Sequence, residues 1–101
     1  MEVAAVKKRT TQAEKDHMGR VAELGCIVCA DLGYPGSPAE LHHIANQGVR
    51  ASHWQVIPLC AIHHRNGSFG EAVHNGRRTW ESIHGTEKEL LSRVNKRLGV
   101  Y

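Results

Sequence analysis

A chain of 101 residues is one domain at most, and domains of this size bury a smaller fraction of their surface than large ones do. With five aromatic residues and ten glycines, its core must rest on Val, Leu, Ile and Ala, thin enough for a stabilising metal to matter. The formal charge of +3 suits a polyanionic partner without establishing one, and eight histidines are far more than such a core needs.

Residues 1–10 carry Lys7-Lys8-Arg9 but no helical stripe, and read as a loosely held basic arm ahead of one folded domain over residues 11–101. The basic run either touches phosphate or is simply solvated. No apolar run follows it, and no stretch approaches the eighteen or so apolar residues of a membrane span, so a soluble, unexported chain is expected. Thr11-Gln12-Ala13-Glu14 has the form of a capping box and predicts a helix start. Ala13, His17, Val21 and Leu24 share a face of that helix, Gly19 weakens it slightly, and Gly25 is placed to end it.

A Cys26-Ile27-Val28-Cys29 turn follows, then a loop dense in Gly and Pro over residues 31–38. Residues 40–44 predict one strand and residues 54–59 a second, with Pro58 marking an edge or a strand end; together they make a β-hairpin with a long polar loop over residues 46–52. Residues 61–65 turn into a short helix, interrupted by Asn66-Gly67-Ser68-Phe69-Gly70. Residues 77–84 predict a further helical piece stopped by Gly85. Thr86 with Glu89 caps a last helix, whose apolar face is Leu90, Leu91, Val94 and Leu98 and whose end is Gly99. Trp54 and Trp80 are expected in the core, and His17 and His84 as structural or surface residues. There is no internal repeat.

Three cysteines cannot form a closed set of disulfides; with Cys-x2-Cys followed by a third cysteine and histidines they read as a reduced, intracellular metal site. Cys26, Cys29, Cys60 and His63 supply the four tetrahedral ligands that a structural zinc wants, as two knuckles thirty residues apart with the hairpin inserted between them. His64 can replace His63 as the fourth ligand, and spacing leaves both open. His42, His43, His64 and His74 remain near the hairpin. A regular strand points His42 and His43 to opposite faces, so both serve one site only at a strand end or bend; the plainer alternative is one packed and one solvated histidine.

Cys-x2-Cys, then His42-His43-Ile44, then a strand ending in Pro58-Leu59-Cys60 with His63-His64, resembles the HNH endonucleases, whose ββα-metal motif is held together by a zinc knuckle. The closer resemblance is to the phage recombination enhancement nucleases (Ref-type, RecA-dependent). It rests on residues 25–29, 39–44, 51–54, 56–60 and 63–65 and on His74 with Gly76, and runs from about residue 11 to the C-terminus. It implies a small α+β, zinc-bound ββα-metal (HNH) domain with a long-looped hairpin and flanking helices. It further implies that His43 is the general base and that His42, His64 and His74 hold a catalytic divalent ion such as Mg2+ or Mn2+, beside the structural Zn2+. The motif's orienting asparagine has Gln55 or His53 in its place. The implied activity is metal-dependent hydrolysis of DNA phosphodiesters leaving 5′-phosphate and 3′-hydroxyl ends, with RecA filaments on single-stranded DNA as partner, in a bacterial cytoplasm and of phage or prophage origin.

Arg50, Arg65, Arg77 and Arg78 lie close in sequence to this site and are candidates for phosphate contacts. Lys88, Arg93, Lys96 and Arg97 alternate with acids and read as an ordinary polar helix face. The competing class is a non-catalytic zinc module that binds DNA or a protein partner. It has no need of His64 after His63.

Overall fold

The computed structural model describes residues 9–46, 49–50 and 52–100, with residues 45–46 and 49–50 described by their backbone alone. Most of the expected N-terminal arm, residues 1–8, lies outside the described residues.

Helix α1 runs Gln12–Glu23 because its first turn is closed by side chains: the Glu14 N–H donates to Thr11 Oγ1 at 3.1 Å and the Thr11 N–H to Glu14 Oε1 at 2.8 Å. His17 and Val21 are buried and Leu24 half-buried, whereas Ala13 is exposed, so the apolar stripe begins one turn later than predicted. Gly25 follows at φ 76°, where a Cβ would lie 2.9 Å from the Ser37 carbonyl oxygen. Only glycine allows that approach, through which the Cys26 N–H donates to Ser37 O at 3.0 Å.

The Cys-x-x-Cys segment is helical rather than a bare turn. Cys26 is the N-cap of a five-residue helix α2, Ile27–Asp31, and its Sγ accepts from the Cys29 N–H at 3.4 Å. Three residues apart on one short helix, both thiols face the same side.

Strands β1 (Glu40–His43) and, after the loop, β4 (Val56–Leu59) pair antiparallel with His42 opposite Ile57 and His43 opposite Val56. The intervening loop carries structure the sequence did not announce: β2 (Ala45–Asn46) and β3 (Val49–Arg50) form a second small antiparallel pair. Pro58 is accommodated because each strand of a two-stranded sheet has an edge that needs no N–H. Every residue of β4 is buried, since α1, α2 and the last helix all pack against it.

After β4 the chain winds through a π-helical turn, Ile62–Asn66, closed by the Gly67 N–H donating to Ile62 O at 3.0 Å. Helix α3, Arg77–His84, lies between Gly76 and Gly85, and α4, Glu87–Leu98, is capped by Thr86 and Glu89 and ended by left-handed Gly99, as predicted. Leu90 and Val94 are buried and Leu91 and Leu98 half-buried. Arg93 on the polar face of α4 reaches Asp31 of α2 at 2.7 Å.

The core joins Val21, Ile27, Val28, Val56, Ile57, Leu59, Leu90 and Val94 around fully buried Trp80. Trp54 does not belong to it. Placed just ahead of the covered strand, it is 46% exposed and sets its ring against His17, with centroids 5.0 Å apart. The architecture is α+β, a two-stranded sheet packed by helices, with both histidine pairs at its ends.

Candidate functional site

Cys26 and Cys29 come from α2, Cys60 from the residue after β4, and His63 from the π-helical turn, and their donor atoms lie within 4.8 Å of one another. His63 Nδ1 is 3.6 Å from Cys26 Sγ, 3.6 Å from Cys29 Sγ and 3.2 Å from Cys60 Sγ, while Cys29 and Cys60 Sγ are 3.7 Å apart. A tetrahedral ion at a metal–sulfur distance of about 2.3 Å needs ligand edges of about 3.7 Å, so this set can hold a metal ion without rearrangement. Burial pushes the Cys26 thiol up to about 12 in the metal-free chain, which makes a nearby cation the natural condition for its thiolate. Burial also holds the His63 imidazole below its usual range, against the opposing pull of Glu71, and so favours the neutral form that a cation binds.

The second cluster contains only imidazoles. His42, His64 and His74 also bring their donor atoms within 4.8 Å of one another, with ring centroids 4.9 to 5.3 Å apart. His42 sits on β1 and His64 on the π-helical turn. Neighbours on a helical turn project in different directions, so the His63-His64 pair divides between the two clusters. His74 arrives because the chain doubles back: the Val73 N–H donates to His63 O at 2.8 Å and the His74 N–H to His64 O at 3.1 Å. That return replaces the helical continuity which the intervening glycines forbid.

His42 and His64 are buried and His74 is exposed, so the cluster forms the floor of an open pocket of about 380 Å³ lined also by Leu41, His43 and Arg65. The His74 imidazole is held below its usual range by desolvation first and then by the neighbouring His42, Arg65 and His64. Three imidazoles with an open side suit a divalent ion that keeps further positions for water or substrate.

His43 lies outside this trio, its Nε2 2.9 Å from Nδ1 of His53, and the other ring nitrogen of His53 is 3.3 Å from Thr10 Oγ1. Of the two candidates for the orienting position, His53 therefore meets His43 directly. Gln55 serves the hairpin through its backbone, its carbonyl accepting from the Ile44 N–H at 3.1 Å. Among the arginines, Arg65 lines the pocket, Arg78 is exposed on α3, and Arg77 lies 3.7 Å from Glu87. The side chain of Arg50 lies outside the described residues.

Two carboxylates that the sequence did not point to back the imidazole cluster. Glu40 Oε1 is 2.7 Å from His64 Nδ1, and Glu87 Oε2 is 2.5 Å from His42 Nε2. Strand alternation places Glu40 and His42 on one face and could have suggested the first. Nothing local signals the second, because Glu87 is forty-five residues from His42 and an acid in a first helical turn ordinarily serves the helix dipole. His84, expected as a structural or surface residue, is half-buried, with its ring 5.5 Å from that of His63 and 5.5 Å from that of Trp80.

Among the described residues no helix is long and apolar enough to cross a membrane. No curated protein matches the chain significantly. The family model for recombination enhancement, RecA-dependent nucleases matches residues 10–98, which spans every helix and strand described above. The chain belongs to the family of recombination enhancement, RecA-dependent nucleases.

Proposed function

We propose that this chain is a metal-dependent DNA endonuclease of the HNH type, acting in recombination on DNA bound by RecA. The observation that carries the reading is the convergence of His42, His64 and His74 beneath an open pocket, beside His43 and apart from the Cys26, Cys29, Cys60 and His63 set. In this reading the thiolate set holds a structural Zn2+ and the imidazole set a catalytic divalent ion such as Mg2+ or Mn2+. When bound, that ion supplies charge stabilisation for the phosphate and the leaving oxygen.

His43 accepts the proton of the attacking water. Its contact with His53 is consistent with a tautomer protonated on Nε2, donating to His53 Nδ1, while His53 donates from its own Nε2 to Thr10. The basic nitrogen of His43 is then Nδ1, and an imidazole whose ordinary pKa lies near neutrality suits that role. His53 thus fills the orienting position of the motif. As the P–O3′ bond breaks, the water oxygen stays on phosphorus, giving a 5′-phosphate, and the departing 3′-oxygen takes up a proton to become a hydroxyl. Arg65, at the pocket rim, positions the phosphate without reading sequence, and Arg77 and Arg78 extend the cationic approach. The setting is a bacterial cytoplasm, with the chain encoded by a phage or prophage.

The test joins metal stoichiometry to a plasmid nicking assay, with and without RecA and ATP. Wild type is expected to bind two ions and to nick. His43→Ala should still bind two ions and DNA but cut about 10²- to 10⁴-fold more slowly. One bound ion with no cutting under either condition would instead make the chain a zinc module that binds DNA or protein.

A further inference from the structure

We propose that Glu87 is a positioning residue: it fixes the tautomer and ring orientation of His42, and thereby sets the affinity of the imidazole cluster for its ion. The proposal rests on the imidazole cluster being an ion site, as argued above.

Glu87 is the first residue of α4, directly after the cap Thr86. An acid there normally stays in solvent near the positive end of the helix, as Glu89 does, exposed and closing the cap through Thr86. Glu87 instead turns inward and is only 7% exposed. Burying a carboxylate is costly unless it is paired, so its partners are the point of the arrangement. One oxygen meets His42 Nε2 at 2.5 Å, the other lies 3.7 Å from Arg77 Nη1 of α3, and its backbone N–H donates to Glu81 Oε2 at 2.9 Å. Helices α3 and α4 therefore both hold this one side chain in place.

An ionised carboxylate only accepts hydrogen bonds, so the proton in the contact belongs to His42 Nε2. A neutral His42 then has its lone pair on Nδ1, which is the nitrogen that can face an ion shared with His64 and His74. The opposite tautomer would set a lone pair against the carboxylate and turn an N–H toward the ion. Carboxylates that hold ligating histidines this way are worth about 10- to 100-fold in metal affinity.

Glu87→Ala and Glu87→Gln, with Glu89→Gln as a control, are to be titrated with Co2+ in the full chain. Thiolate-to-cobalt charge transfer reports the cysteine set and thus folding. Chelator competition reports the imidazole set, and nitrogen NMR of the His42 ring, with only the cysteine set loaded, reports its tautomer. The expected result is an Nε2–H His42 in wild type, lost in Glu87→Ala together with about 10- to 100-fold of affinity at the imidazole set, while the cysteine set is unchanged. Glu87→Gln, whose amide oxygen still accepts, should fall between, and it carries the test if the alanine variant loses the charge-transfer band. Two ions bound as tightly by both Glu87 variants as by wild type, with unchanged His42 nitrogen signals, would overturn the role of Glu87 and leave the ion site standing. A wild type that binds cobalt only at the cysteine set would overturn both.

Discussion

Cys26, Cys29, Cys60 and His63 offer three thiols and one imidazole at the corners of a tetrahedron, gathered from α2, the end of β4 and the π-helical turn that the core presses together. His42, His64 and His74 offer imidazoles alone, backed by Glu40 and Glu87 and open on one side to a pocket that His43 and Arg65 share. Four ligands close a shell and leave no reactive position; three with an open side leave room for water and phosphate. The adjacent residues His63 and His64 serve one set each, so in the proposed reading the π-helical turn joins a part that holds the fold to a part that reacts. Turns of that kind recur at functional sites.

Removing a ligand from the closed set should do the greatest damage, because in so small a domain the ion's binding energy is folding energy, on the order of 10 kcal/mol. Cys60→Ser, and equally Cys26→Ser, should give insoluble or molten protein with no bound zinc, read from solubility, metal content and near-ultraviolet circular dichroism. His74→Ala should leave a folded, zinc-loaded chain that has lost its second ion. A well-folded, metal-free Cys60→Ser protein would erase the distinction between the two sets.

The elements that support both sets were legible where a local rule governs them. Thr11 with Glu14 and Thr86 with Glu89 announce their helices because a capping box satisfies backbone donors within four residues. The Cys-x2-Cys and Cys-x2-His spacings announce in the same local way the two halves of one cluster that could hold a metal ion. What escaped depends on distant partners. The return of His74 to His64 runs through backbone bonds across a glycine-bearing loop, and Glu87 meets His42 only because α4 packs back on the hairpin. Trp54 has the composition of a core residue, yet it falls two residues before the strand that the helices cover.

Acid should act next most strongly, and on both sets. Burial holds His17, His63, His74 and His84 below their ordinary range in the folded chain. The unfolded chain therefore takes up protons first as pH falls through about 6.5, and it binds more protons than the folded chain until the lowered values are reached. Their contribution to stability is thus full above that window and declines through it as pH falls. Urea midpoints of the zinc-loaded chain should be lower at pH 5.5 than at pH 7.5, and His17→Leu, which removes a buried imidazole remote from either set, should flatten part of the difference. A midpoint independent of pH would mean that these imidazoles are as well solvated folded as unfolded.

The smallest expected effect separates the two sets by what approaches them. Arg65 lines the imidazole pocket, whereas Arg93 is engaged on the other side, at 2.7 Å from Asp31 and 3.3 Å from the His84 carbonyl oxygen. A phosphate contact releases about one counterion, so its loss lowers the slope of log affinity against log salt by about 1. Arg65→Ala should weaken DNA binding and lower that slope by about 1; Arg78→Ala, exposed on α3 and outside the residues that line the pocket, should do less; Arg93→Ala should leave the slope unchanged and cost stability alone. Fluorescence anisotropy with a short DNA at several salt concentrations reads all three. Equal slopes for Arg65→Ala and Arg93→Ala would mean that DNA does not enter by the imidazole pocket, and would remove the contrast between a set that holds the fold and a set that meets the substrate.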